Sequence, residues 1–241
     1  MLQNKEEKEM AKLNTNSNAY TIIYASVMVI IVAFLLAFVS SALKPTQDAN
    51  VELDKKSQIL AALNIRGVED VAAKYDEVVK SDAIFGADAS QGPKAETGGF
   101  AVANKDITAD NRPLYIAEVD GEQKKVVPVK GAGLWGGLWG YIAVDADGET
   151  IYGTYFSHES ETAGLGARIA EQWFQDSFRG KKLYAADGND IVLCAVKPGK
   201  EGTLSPDNYV DGITGATLTT DGVNNMIKEC MTLYKDILTN K

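Results

Sequence analysis

The feature that most constrains this chain is an uninterrupted apolar run near its N-terminus, from Ala19 to Leu43. These 25 residues include no Asp, Glu, Lys or Arg. A helix rises about 1.5 Å per residue, so a helix of this length crosses a hydrocarbon core roughly 30 Å thick. The run therefore predicts one transmembrane helix, and the rest of the chain must fold outside the hydrocarbon.

A cleaved signal peptide is the alternative interpretation of this run, because Ser40 and Ala42 are small enough for a cleavage site. Two observations favour an uncleaved anchor. The run is longer than the usual hydrophobic region of about 7–15 residues. The segment before it also mixes three lysines with three glutamates instead of being simply basic. We therefore expect a single-pass anchor over residues 19–43.

Charge counting does not orient this anchor. Three lysines flank the run on each side, so the positive-inside rule gives a tie. A short tail inside the cell and a large exported domain is the simpler topology. We therefore expect a cytoplasmic tail over residues 1–18 and an extracytoplasmic domain after the anchor.

Charge and composition argue against two classes of function. The chain has 24 Lys and Arg against 33 Asp and Glu, a net charge of −9, and an acidic domain without a basic stripe binds nucleic acid poorly. Two cysteines, Cys194 and Cys230, and one histidine, His158, cannot supply four ligands to zinc or an iron–sulfur cluster. We expect no metal site and no functional role for either cysteine, and the sequence leaves open whether the two form a disulfide.

The residues after the anchor predict helices followed by β-hairpins. Lys44-Pro45 is expected to end the anchor helix, and two amphipathic helices and then an exposed connection follow within residues 44–98. Apolar alternation on either side of three Asp-Gly pairs predicts three hairpins, whose turns lie at residues 120–121, 147–148 and 187–188. Helical spacing of apolar residues predicts two further helices, at about 167–179 and 221–238.

Hairpins combined with a few helices indicate an α+β fold. We expect residues 44–98 to form a helical connecting region and residues 99–241 to form the globular domain, with antiparallel hairpins flanked by helices. The chain lacks βαβ alternation and a Gly-x-Gly-x-x-Gly segment, which disfavours a Rossmann nucleotide site.

Residues 211–225, DGITGATLTTDGVNN, crowd four threonines together just before the last predicted helix. A helix N-terminus offers unpaired N–H groups and a partial positive charge, which together hold phosphate. The segment therefore suits a phosphate carried on, or bound beside, a threonine hydroxyl. The alternative is that Thr219 or Thr220 only caps the helix and that the other threonines lie in an ordinary turn.

The first seven of these residues, Asp-Gly-Ile-Thr-Gly-Ala-Thr, resemble the flavinylation motif Asp-x-x-Ser/Thr-Gly-Ala-Thr/Ser of bacterial FMN-binding domains. In that family a dedicated flavin transferase joins FMN, through its phosphate, to the hydroxyl of the last motif residue. The resemblance implies that Thr217 carries covalent FMN as phosphothreonyl-FMN. It also implies that Asp211, Thr214, Gly215 and Ala216 belong to the cofactor site.

Two further stretches resemble the same family. HESETAGLGARI, residues 158–169, is similar to its Glu-Thr-Pro-Gly-Leu-Gly segment, with Ala163 where proline is usual, and GAGLWGGLWGYIAV, residues 131–144, is similar to its Gly-x-Gly-Leu-Trp strand. Without the resemblance these residues indicate only a loop and core packing, and His158 is expected to be a solvated loop residue. The resemblance implies positions close to the flavin for Trp135, Glu161, Thr162, Gly164, Leu165 and Gly166.

Across essentially the full chain, the arrangement is similar to the family of C subunits of the Na⁺-translocating NADH:quinone reductases. The close alternatives are the G subunits of Rnf electron-transport complexes and other membrane-anchored extracytoplasmic flavoproteins. The resemblance implies an electron-transfer subunit of a sodium-transporting complex in the cell inner membrane, with its FMN domain in the periplasm. Partner subunits would oxidise NADH and reduce ubiquinone, so no catalytic residue and no complete reaction are expected of this chain alone. A non-redox anchored binding or assembly module is the alternative from another class.

Overall fold

The structure is a computed structural model that describes residues 17–239. The tail expected over residues 1–18, with its three lysines, lies almost entirely outside the described residues. The chain divides into two compact units, one that ends at Glu52 and one that begins at Leu53.

The predicted anchor lies within one long helix, α1, Asn18–Ala62. The apolar part of α1 is long and hydrophobic enough to cross a membrane, and it is not buried by the rest of the described chain. The expected end at Lys44-Pro45 is wrong, since α1 continues through Pro45. Proline deprives a helix of one hydrogen bond, but the last turns of α1 bury Ile59 and Leu60 completely, and that packing holds them helical.

A six-stranded antiparallel sheet forms the centre of the domain, in the strand order β2-β1-β3-β4-β5-β6. A short helix, α2, precedes the first strand without a break. The bounds are α2 Val71–Val78, β1 Val79–Phe85, β2 Pro93–Ala95, β3 Arg112–Val119, β4 Glu122–Ala132, β5 Gly137–Asp145 and β6 Ile151–His158.

Two of the three predicted hairpins are confirmed. β3 pairs with β4 and β5 pairs with β6, each around its Asp-Gly pair. At the first turn Asp120 and Gly121 have φ angles of 54° and 77°. Two consecutive positive φ angles match the right-handed twist of the flanking strands, which is why Asp-Gly is favoured there.

The third predicted hairpin is only partly present. The chain turns back at Asp187-Gly188, where Tyr184 and Ile191 form one isolated antiparallel bridge and the Ala185 N–H donates to the Asp190 carbonyl at 3.0 Å, but no two-stranded pair extends from it. The strand that follows, β7 Cys194–Val196, pairs in parallel with β8 Tyr209–Asp211. The apolar side chains of Leu183 and Leu193 are buried in the core.

Residues 79–95 also differ from the prediction of a helical and exposed connection, because they form β1 and β2. β1 pairs with β3 over six positions and so belongs to the same sheet as the later hairpins. Sheet pairing across the chain overrides local periodicity here, since seven residues are too few to distinguish the two periods. The division at residue 99 stays a prediction about where the flavin domain begins.

Helices cover both faces of the sheet. The end of α1 and α2 pack on one face against Tyr115 and Tyr141. The final helix, α4, Thr217–Thr239, packs on the other face and buries Met226, Ile227 and Tyr234. The sequence predicts one helix at about 167–179. The structure has two short helices there instead, a 3-10 helix, Gly166–Ala170, and α3, Gln172–Asp176.

The C-terminal end of α4 is fixed to the sheet by two basic side chains. The buried Arg112 guanidinium donates to the Leu233 carbonyl at 2.7 Å and pairs with Asp236 at 2.6 Å. Lys125 Nζ donates to the Leu238 carbonyl at 3.0 Å. Cations are favourable at a helix C-terminus, so these contacts hold the helix whose opposite end carries the threonine cluster.

Candidate functional site

The helix α4 begins at Thr217, four residues earlier than the sequence predicts. Thr217 is therefore the first helical residue, and its hydroxyl lies where N–H groups lack intrahelical partners. Thr219 and Thr220 lie inside the helix and cap nothing, so the alternative role as a helix cap is excluded for both.

Burial divides the four threonines into two pairs. Thr214 and Thr217 are exposed, whereas the exposed fractions of Thr219 and Thr220 are only 2% and 5%. A transferase that modifies a hydroxyl must reach it from solvent. In this structure only Thr214 and Thr217 meet that condition.

The buried Thr219 hydroxyl donates to Glu161 Oε2 at 2.5 Å. The other oxygen, Glu161 Oε1, accepts from the Trp135 backbone N–H at 2.8 Å. Glu161 is only 6% exposed, so its carboxylate lies inside the protein. It therefore joins three segments that are far apart in sequence: the β4–β5 loop, the loop after β6 and the first turn of α4.

The Glu161 carboxylate is stabilised in its charged form. Burial by itself would raise the pKa of this group, but hydrogen bonds from Thr219 and from the backbones of Trp135 and Leu134 outweigh burial and hold the pKa below its usual range. Glu161 is thus a buried carboxylate anion at neutral pH. Its oxygens are occupied by protein donors, which makes it a support for the site.

Close packing around Glu161 explains the glycine at the end of the Gly-Leu-Gly stretch. A Cβ at Gly166 would lie 2.5 Å from Glu161 Oε2 and would overlap the Thr219 hydroxyl. At Gly164, in contrast, a Cβ would have open space around it, but the φ of +77° is a backbone conformation that favours glycine. Gly164 is therefore needed for the turn and not for close packing. The turn is closed by hydrogen bonds from the Leu165 and Ala167 N–H groups to the Thr162 carbonyl, both 3.1 Å.

Three exposed apolar side chains lie on the segments that meet here. Trp135 is 65% exposed, Leu165 is 42% exposed and Leu218, next to the predicted acceptor, is 60% exposed. Leu165 Cδ2 comes within 3.1 Å of where a Cβ at Gly215 would be, so it lies against the threonine motif. A planar aromatic ring is the type of group that such a surface accommodates.

His158 differs from the expected solvated loop residue. It ends β6, is partly buried, and its Nδ1 accepts a hydrogen bond from the Glu161 backbone N–H at 3.2 Å. The histidine thus helps to fix the loop that carries Glu161.

On the other side of the α4 N-terminus lies a cavity of about 330 Å³. It is formed by the threonine motif, the first turns of α4 and the turn after β7. Thr220 is one of the lining residues, and its hydroxyl is buried without a hydrogen-bond partner among the described residues. The lining residues that carry polar side chains are Lys197, Lys200, Thr214, Thr217, Thr220, Asp221 and Asn224.

The rest of the motif shapes the approach to Thr217. Asp211 is exposed at the end of β8, and the Gly212 N–H then donates to the Val196 carbonyl at 2.7 Å. Gly215 has a φ of +82°, a conformation that favours glycine. Ala216 is buried, and its carbonyl accepts the Thr220 N–H at 2.9 Å as the first bond of the helix.

Sequence reasoning missed Lys197, Lys200 and Asn224. The signal for the lysines was Lys-Pro-Gly-Lys, a turn that offers two cations in an acidic chain, but nothing local connects this turn with residues 211–217.

The two cysteines, for which the sequence predicts no role, are both free thiols. Within residues 17–239 no group of three His, Cys, Asp or Glu is arranged to hold a metal.

The residues present fit a phosphate-bearing flavin. A helix N-terminus and two lysines favour an anion, and exposed apolar side chains nearby suit a ring. The fit rests on the chemistry of these groups, since N–H and ammonium donors suit a phosphate and apolar side chains suit an aromatic ring.

Comparisons with known proteins agree with this interpretation. Residues 133–232 match the FMN-binding domain family. The C subunit of the Na⁺-translocating NADH-quinone reductase of Haemophilus ducreyi is 33% identical over 239 residues, with 91% of each chain covered. The corresponding protein of Pseudomonas aeruginosa is 30% identical, with 89% of this chain and 91% of that one covered. The crystal structure of the C subunit from Parabacteroides distasonis is 39% identical, with a TM-score of 0.75 over 83% of this chain and 98% of that chain.

Proposed function

Because the chain belongs to the family of C subunits of the Na⁺-translocating NADH-quinone reductases, we propose that it carries FMN covalently on Thr217 and relays electrons within such a complex. The observation that carries the proposal is the position of Thr217. It is an exposed hydroxyl at the first residue of α4, beside a cavity lined with lysines. Thr214 is the one other exposed threonine of the motif, and it lies outside the helix.

Attachment to Thr217 requires an activated flavin phosphate, as in a phosphoanhydride. The bond between Thr217 Oγ1 and phosphorus forms, the phosphoanhydride bond breaks, and its leaving group departs with the electron pair. The hydroxyl proton passes to a base on the flavin transferase. Thr217 is consumed once in this step and is an attachment point, not a residue that turns over.

When bound, FMN supplies one- and two-electron redox chemistry. The protein residues retain and orient it. A covalent tether on Thr217 replaces bimolecular binding of FMN by an effective concentration on the order of millimolar. The domain then keeps its FMN outside the cytoplasm without rebinding it from solution. Trp135 and Leu165 offer apolar surface, and Glu161 holds the loops that carry them in position.

In the cell, α1 would anchor the chain in the inner membrane with a cytoplasmic N-terminus and a periplasmic flavin domain. Electrons from NADH oxidation in a partner subunit would pass through this chain and other carriers toward ubiquinone, while the complex exports Na⁺. One apolar helix without Asp, Glu, Lys, Arg or His over positions 19–43 cannot itself form a Na⁺ path, so partner subunits must supply it.

The attachment is tested with the full chain co-expressed with a flavin transferase and separated on a denaturing gel. We expect a fluorescent flavin band for the wild type and for Thr214→Ala, a dark band for Thr217→Ala, and a fluorescent band again for Thr217→Ser. Fluorescence that persists in Thr217→Ala would move the acceptor to another residue. A dark wild-type band would support the non-redox module instead.

The relay is tested separately from the attachment. The assembled complex with Thr217→Ala should lose Na⁺-dependent reduction of ubiquinone by NADH while its subunits still co-purify. The flavinylated chain alone should not oxidise NADH. Rapid oxidation of NADH by the purified chain would contradict the role of a single link. Co-purification with Rnf proteins would support the alternative complex.

A further inference from the structure

We infer that His158 is a positioning residue of the flavin site: its neutral imidazole holds the loop that carries Glu161, and protonation of the ring releases that loop. The pH around the domain then acts on the flavin. The link to the flavin rests on the proposed function, whereas the link between His158 and the loop rests on a contact within the chain.

The hydrogen bond between the imidazole and the loop requires one protonation state of the ring. His158 Nδ1 accepts from the Glu161 backbone N–H at 3.2 Å. Nδ1 can accept only as an unprotonated nitrogen, so the ring is neutral and carries its proton on Nε2. His158 is the last residue of β6 and Glu161 lies in the loop that follows. The bond therefore fixes the course of the loop as it leaves the sheet.

Glu161 connects this bond to the rest of the site. Its backbone is held by His158, and its carboxylate accepts from the Thr219 hydroxyl at 2.5 Å and from the Trp135 N–H at 2.8 Å. Thr219 follows the predicted acceptor by two residues, and Trp135 is one of the exposed apolar side chains at the site. A displacement of the Glu161 backbone therefore moves a carboxylate to which both segments are bonded.

Protonation replaces the acceptor by a donor. When a proton from solvent adds to Nδ1, two N–H groups face each other and the hydrogen bond to the Glu161 backbone is lost. The imidazolium is also attracted to the Glu161 carboxylate, whose charge interacts with that of His158. Both carboxylate oxygens already accept bonds from Thr219 and Trp135, so the cation competes with these donors. Both effects favour a loop that departs from its neutral arrangement.

The neighbours of the ring indicate that His158 is the group that titrates here. Glu159, the next residue, directs its carboxylate to the backbone N–H that begins β5, at 3.3 Å. β5 places Leu138 opposite His158, and α4 reaches the loop through an uncharged hydroxyl. Histidine ordinarily changes charge between about pH 5 and 8, whereas the hydrogen bonds of Glu161 hold the pKa of that carboxyl below its usual range. The loop is therefore held at the upper end of this range and released at the lower end.

The first arm of the experiment follows the imidazole in the full-length, unflavinylated chain in detergent. His158 is the one histidine of the sequence, so a ¹⁵N-labelled chain without a histidine tag gives imidazole NMR signals from this residue alone. We expect a neutral ring with its proton on Nε2. On acidification the Glu161 and Trp135 amide signals should shift with the same midpoint as the ring nitrogens. A neutral ring protonated on Nδ1, or amide signals that do not follow the ring, would overturn the proposal.

The second arm uses two substitutions to separate hydrogen-bond acceptance from charge. His158→Asn places an oxygen at the same number of bonds from Cβ as Nδ1, so it accepts the Glu161 N–H without being protonated. His158→Phe keeps a ring but has no acceptor. The readout is the visible circular dichroism of the oxidised, covalently bound flavin, which does not itself titrate between about pH 5 and 8.

The wild-type flavin signal should shift on acidification with the midpoint of the His158 ring. His158→Asn should keep the signal of the neutral wild type at every pH, and His158→Phe should show the acid signal at every pH. A wild-type pH profile in His158→Asn would overturn the proposal. So would a wild-type flavin signal that stays constant while the loop titrates.

The matched control is Glu159→Gln, which removes the adjacent carboxylate but keeps an oxygen for the same N–H. Its pH profile should equal that of the wild type. A profile lost in this variant would assign the titration to Glu159 and overturn the proposal. A wild-type chain that never acquires flavin would overturn the proposed function instead, and the ring nitrogens would still decide whether His158 holds the loop.

Discussion

Thr219 and Thr220 are adjacent, of one residue type and almost equally buried, but their surroundings differ. Thr219 faces the closed side of the helix start, where its hydroxyl is bonded to Glu161 at 2.5 Å. Thr220 lines the cavity, and its buried hydroxyl has no partner among the described residues. Successive helix residues point about 100° apart, so neighbouring threonines serve different sides of Thr217.

The difference separates a hydroxyl that supports the fold from one that does not. A buried polar group with all its partners fixes the structure, whereas a buried hydroxyl without a partner adds no hydrogen bond to the folded state. The Glu161 side holds the loops together, and the Lys197 side carries two exposed lysines. Four predictions test this division.

Glu161→Ala should have the largest effect on stability. The substitution leaves the buried Thr219 hydroxyl without its acceptor and removes the acceptor of the Trp135 N–H, so we expect the free energy of unfolding to fall by about 3 kcal/mol. Urea unfolding followed by tryptophan fluorescence measures it. A loss below about 0.5 kcal/mol would show that the closed side does not support the domain.

Thr219→Val should have the next largest effect. It keeps the shape but removes one donor from the Glu161 carboxylate, which should lower the free energy of unfolding by about 1.5–3 kcal/mol. The same unfolding experiment applies. Flavin attachment at Thr217 should persist in the folded fraction, because the exposed acceptor is untouched.

The pH dependence of stability should carry the signature of Glu161. Its hydrogen bonds hold the folded-state pKa below the unfolded value, so its contribution is present above the unfolded pKa and is lost as pH falls through the folded pKa. We expect Glu161→Gln to show a shallower loss of stability with acid than the wild type. Unfolding curves at a series of acidic pH values compare the two, and parallel profiles would contradict the assignment.

Thr220→Val should have the smallest effect on stability. It removes a hydroxyl that has no partner, so the free energy of unfolding of the unflavinylated chain should stay within about 0.5 kcal/mol of the wild type or rise. A loss as large as that of Thr219→Val would show that Thr220 is paired after all. The comparison between the two sides would then fail.

Sequence reasoning succeeded where the signal is local. Both confirmed hairpins turn at Asp-Gly pairs, whose preference for positive φ is a property of those residues. It failed at residues 79–95, where a few residues fit more than one structure and pairing with a distant strand decided. It also gave the third hairpin two strands, whereas residues 184–191 form a single bridge and the following strand pairs in parallel with β8. The start of α4 was placed four residues late because threonine-rich segments fit a cap as well as a first turn.

The sequence by itself determined the apolar helix, the α+β class and the motif that ends at Thr217, because hydrophobic length, turn chemistry and short motifs depend on neighbouring residues. Only the tertiary structure decided which threonines are exposed, that both oxygens of the Glu161 carboxylate accept hydrogen bonds from the protein, and that Lys197 and Lys200 line the cavity beside Thr217. Glu161 and Thr219 are 58 positions apart. No local pattern encodes such a contact, since burial and pairing arise only when the whole sheet and α4 are packed together.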